Sequence, residues 1–188
     1  MTKIAVNKVR TQVDVERSVP QFQLPYPNDA AGLVLVQALD FCAQKMRLGN
    51  RQAVANRLQK GDSDACKYYH YSVAKQVAEY LGTLDKEIKE VYVADYDATP
   101  DDICFGEGAQ TPPIHLIVWV ERKTSAFDSL VQGMNRALAQ GYADMVGLRQ
   151  LAHLLDVQVV NDEDVENRVG YGAMLSSLHN RPIQIWER

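Results

Sequence analysis

The segment Ile114-His-Leu-Ile-Val-Trp-Val120 constrains the fold of this chain more than any other. Six of its seven residues are apolar, β-branched and aromatic types prevail, and Pro112 and Pro113 punctuate the approach to it. That composition and length predict a strand. Glu121, Arg122 and Lys123 follow at once. Thr124 or Ser125 then caps a helix whose apolar positions are Phe127, Leu130, Val131, Met134, Leu138 and Tyr142.

The rest of the chain fits an α/β architecture around that strand. Asn28 or Asp29 reads as the cap of a helix carrying Leu35, Leu39, Cys42 and Met46 and closed by Gly49. A shorter helix is expected at about 51–58, and a third from Asp62 or Ser63 to Leu81, stopped by Gly82. Strands are expected at about 89–96 and, shorter, at 103–106, followed by a turn over 107–113. Helical spacing resumes at Leu148, Leu151, Leu154 and Leu155. A strand at 157–160, a last helix from Asn161 or Asp162 to about Leu178, and an edge strand at 183–186 complete the expectation. The predicted fold is a single α/β domain over residues 28–188, a mixed β-sheet flanked by helices with an N-terminal helical extension. Residues 1–27 read as an extended arm punctuated by Pro20, Pro25 and Pro27.

At 188 residues the chain suits one domain and can bury a core without a disulfide or metal. Cys42, Cys66 and Cys104 are odd in number, far apart and without a C-x-x-C pair. That favours a reducing, cytoplasmic setting and disfavours a zinc knuckle. Residues 1–20 carry charges throughout, and no apolar run near the start could span a bilayer, so a soluble protein with no membrane partner is expected. The net charge of −4 disfavours nucleic acid mildly, but the charge is uneven. Residues 1–75 hold eleven Lys/Arg against six Asp/Glu, and residues 76–188 nine against eighteen. A basic part suits phosphate and an acidic part suits a cation, although both also suit plain solvated faces.

Chemistry-bearing residues gather around the predicted strand. Pro100-Asp101-Asp102 precedes it across one hairpin, and Glu121 and Lys123 leave its end. Strand alternation would set Glu121 and Lys123 on one face with Trp119, about 6.6 Å apart at roughly 3.3 Å per residue. In this the chain resembles the PD-(D/E)xK nuclease superfamily, over about residues 63–160. The resemblance implies a restriction-endonuclease-like core (αβββαβ) and a Mg²⁺- or Mn²⁺-dependent phosphodiesterase acting on DNA or another nucleic acid. Pro100-Asp101 looks like the family's Pro-Asp pair, and Glu121 and Lys123 look like its Glu-x-Lys. Asp101, Glu121 and Lys123 are thereby the implied catalytic residues. Asp101 and Glu121 would hold the metal, with Asp97 and Glu79 as further candidate ligands. Asp95 and Asp102 compete for the single aspartate role. Gln132 and Tyr142 resemble a polar pair that some branches carry on the next helix.

A non-catalytic ligand- or partner-binding domain is the alternative. The apolar stripes with Leu35, Leu39, Cys42 and Met46, and with Phe127, Met134 and Leu138, would serve a homodimer face as readily as a core. Asp95-Tyr-Asp97 is similar to the first motif of haloacid-dehalogenase-type phosphatases, but no later Asp-Asp site follows. Tyr71 and Lys75 have the spacing of short-chain dehydrogenases without the glycine-rich turn that should precede it.

Overall fold

The computed structural model describes residues 29–94, 113–179 and 181–188. The expected arm over residues 1–27 and the expected short strand at 103–106 lie outside the described residues. Each long helix starts at a short polar side chain that takes up a backbone N–H with no partner inside the helix. Asp29 caps α1 (Ala30–Lys45), Asn50 caps α2 (Arg51–Gln59), Asp62 caps α3 (Ser63–Leu84) and Thr124 caps α4 (Ser125–Val146). Helix α1 stops short of Gly49, because Met46 is its C-cap and Arg47 turns left-handed at φ 54°. Helix α3 runs past Gly82, its expected stop. Glycine is needed at that position for room: a Cβ there would fall within the Trp186 indole, which packs onto the helix.

Helix α4 ends at Gly147, a left-handed C-cap at φ 76°. The helical run expected over residues 148–155 is instead a loop leading into a strand. Asn135 on α4 holds it. Its Oδ1 accepts the N–H groups of Leu154 and Leu155, each at 2.9 Å, and its Nδ2 donates to the Leu155 carbonyl at 2.7 Å. Leu148 and Leu151 pack against the core from that loop, so their helix-like spacing reflects burial alone.

Four strands form one mixed sheet among the described residues: β1 (Ile88–Val93), β2 (Ile114–Val120), β3 (Leu155–Val160) and β4 (Ile183–Glu187). Their order is β3-β2-β1-β4. β1 is antiparallel to both β2 and β4, and β2 is parallel to β3, with α4 as the crossover. One face, carrying Ile88, Val91, Leu116, Val118 and Val120, is buried with the stripes of α1, α3 and α4 in the main core. Each such side chain contributes about 1.5–3 kcal/mol on burial. The opposite face presents Tyr92, Ala94, Ile117 and Val160.

A strap, residues 161–179, leaves β3 at one sheet edge and leads towards β4 at the other. The single helix expected there is two short ones, α5 (Asp162–Glu166) and α6 (Tyr171–Leu175). Arg168 and Gly170, at φ 54° and 51°, break it. A capping box between Asn161 and Asp164 starts α5, and Val165, Met174 and Leu175 pack on the second face. Among the described residues no helix is long and apolar enough to cross a membrane.

Candidate functional site at the carboxyl end of strand β2

The carboxyl ends of parallel strands are where α/β sheets commonly place ligands. Here they are the ends of β2 and β3. Strand β2 is buried except at His115 and Trp119, which are half-buried, and Glu121, Arg122 and Lys123 are then exposed in succession. The Glu121 N–H donates to the Glu87 carbonyl at 2.8 Å, so the backbone ladder extends one residue past the strand. Its carboxylate accepts from Arg188 Nη1 at 3.3 Å. Arg188 is itself fixed by donating from Nε and Nη2 to the Ile88 carbonyl, at 3.0 and 2.9 Å. Glu121 therefore turns towards the β1–β4 side of the sheet.

Lys123 turns the other way. Its Nζ lies 2.6 Å from Asp164 Oδ2, on the strap beyond β3. The face that alternation would give Glu121 and Lys123 in common is thus divided, because regular strand structure ends at Val120. Trp119 sides with Lys123: its Nε1 donates to Asp162 Oδ1 at 2.8 Å. Lys89 Nζ donates to both Asp162 oxygens at 2.7 Å and sits 5.6 Å from the Trp119 ring centroid. Two ammonium groups and an indole N–H thereby converge on the first turn of α5. The Lys89 hydrogen bond, then that of Trp119, holds the Asp162 carboxyl below the usual carboxylate range. The Lys123 hydrogen bond, then the Asn161 backbone N–H, does the same for Asp164.

The other expected residues that the structure describes lie away from this cluster. Asp95, Asp97, Asp101 and Asp102 lie outside the described residues. The end of β1 that leads to them, at Ala94, bonds to the His115 carbonyl near the start of β2. Glu121 is at the opposite end of β2, on the order of 20 Å away at roughly 3.3 Å per residue. Glu79 is exposed on α3. Gln132 is exposed on α4, whereas Tyr142 is wholly buried against Tyr69 and His70, with ring centroids 5.8 and 6.4 Å away. Carboxylate oxygens are the donors Mg²⁺ prefers, and Glu121 offers one such group. Among the described residues no group of three or more His, Cys, Asp or Glu side chains is placed to hold a metal ion.

Lys89, Trp119, Asp162 and Asp164 do not stand out in the sequence as site residues. The available signal is the Asn161-x-x-Asp164 capping box directly after a strand. A second polar pair joins β2 to β3 at the other end of the sheet. His115 Nδ1 lies 3.0 Å from Asp156 Oδ2, and Gln158 Nε2 donates to Asp156 Oδ1 at 2.8 Å. No known protein family, curated protein or solved structure matches the chain.

Proposed function

We propose that the chain is a divalent-metal-dependent phosphodiesterase acting on nucleic acid at the carboxyl end of β2. The observation that carries this reading is the abrupt change after Val120. A strand buried along most of its length delivers Glu121 and Lys123, two residues apart, with each side chain 46% exposed. Their present partnerships are an exposed pair with Arg188, worth about 1 kcal/mol or less, and a partly exposed pair with Asp164. Both groups are therefore free to exchange onto a substrate. Glu121 is the metal ligand in this assignment, joined by Asp101 or Glu79 as the motif implies. A bound Mg²⁺ supplies polarisation of a phosphoryl oxygen and a more acidic water. Lys123 holds the phosphate oxygens and steadies the charge that grows on them. A restriction-endonuclease-like core and a cytoplasmic location belong to the same proposal.

One observation favours a second reading, a non-catalytic ligand- or partner-binding domain. Arg188 and Asp164 draw Glu121 and Lys123 apart and neutralise each within the chain. In that case the pairs fasten the strap and the C-terminus to the sheet. Labelled duplex DNA incubated with the protein and Mg²⁺ separates the two. Cleavage by the wild type, lost in Lys123→Ala with the unfolding transition retained, is the expected result. Cleavage undiminished in that variant, or none by the wild type on DNA or RNA, overturns the nuclease reading.

A further inference from the structure

We infer that Lys89, Trp119 and Lys123 form a phosphate-binding subsite that Asp162 and Asp164 of the strap keep covered. The inference rests on reading this end of the sheet as a place for phosphate, and not on any catalytic step. Three donors from two segments meet here: Lys89 from β1, and Trp119 and Lys123 from β2 and the residues just beyond it. What they hold is anionic and oxygen-bearing. Asp162 accepts two bonds from Lys89 and one from Trp119, and Asp164 pairs with Lys123. A phosphate group offers the same chemistry, several oxygens sharing negative charge, to the same donors. Asp162 occupies the donors of Lys89 and Trp119, and Asp164, two residues on, occupies that of Lys123.

The carboxylates that cover the subsite can be reached from solvent. Side-chain exposures of 33% for Lys89, 48% for Asp162, 46% for Lys123 and 23% for Asp164 put the cluster within reach of solvent, Asp164 least. The strap consists of two five-residue helices separated by Arg168 and Gly170, both with positive φ. The strap therefore offers an internal competitor for the anion it would admit. Apparent affinity is reduced by the fraction of time the site stays covered.

Isothermal titration with inorganic phosphate tests this directly. The variant Asp162→Asn/Asp164→Asn keeps an acceptor for Trp119 and for the capping box but removes both charges. It should bind phosphate about tenfold more tightly than the wild type, the factor that two partly exposed ion pairs impose. Adding Lys89→Ala and Lys123→Ala to it should abolish the gain. The control Glu163→Gln/Glu166→Gln changes the net charge equally on the same short helix and should leave affinity unchanged. Each Asn variant alone, expected at about threefold, keeps the test open if the double variant fails to fold. No gain in any Asn variant, or an equal gain in the control, overturns the inference. Phosphate binding needs neither metal nor cleavage, so a chain that binds phosphate without cutting DNA overturns the catalytic reading alone.

Discussion

His70 sits on α3 with its ring 6.4 Å from that of Tyr142 and its Nε2 buried, although the residue as a whole is only partly covered. Burial pushes its pKa down from 6.5 to about 4. The folded state therefore keeps the ring neutral where the unfolded state takes up a proton. Acid favours unfolding throughout that window: the contribution is intact above pH 6.5 and drains away as the pH falls towards 4. Urea unfolding across this range should show stability falling with acid, by at most about 3 kcal/mol. His70→Gln should flatten the profile, and an unchanged slope in that variant would contradict the assignment. Asp162 and Asp164 act in a different window. Their carboxyls are held below the usual range, so their contribution is present above an unfolded pKa of about 3.9 and is lost only as pH falls further. At this scale the sequence indicated that Glu121 and Lys123 leave a strand together. It could not indicate their partners, since Arg188 and Asp164 are brought close only by the placement of β4 and the strap.

Among the elements, the caps and β2 were legible because they depend on neighbours in sequence. Asp29, Asp62, Thr124 and Asn161 each stand at a helix start that local chemistry picks out. The loop over residues 148–154 was not legible. Leucines at helical spacing suggest a helix, but Gly147 turns the chain and one distant side chain, Asn135, captures the backbone instead. Asn135→Ala would leave the N–H groups of Leu154 and Leu155 without that acceptor in a fully buried position. It should destabilise the fold by about 1–3 kcal/mol in chemical denaturation. A change within a few tenths of a kcal/mol would show that the loop is held by its leucines alone. Gly82 teaches the same lesson in reverse: a residue that reads locally as a helix stop is in fact set by the approach of Trp186 from the far end of the chain.

Across the whole molecule, the mixed sheet with helices was readable from the alternation of strand and helix patterns. The strand order was not, because β4 returns to pair with β1 across the sheet and only tertiary structure reveals it. That return brings Arg188 to Glu121, while the strap brings Asp162 and Asp164 to Lys89 and Lys123. The proposed site is thus an intersection of local sequence, which exposes a carboxylate and an ammonium after a buried strand, with long-range topology, which surrounds them with counter-charges. Its central claim is that Glu121 helps to hold a divalent cation. A ligand bound only by the native state raises the unfolding temperature in proportion to its occupancy. The decisive measurement is the thermal transition of the wild type and of Glu121→Gln titrated with Mn²⁺. A rise in the wild type that the variant lacks is the predicted result, and no rise in either, or the same rise in both, would contradict it.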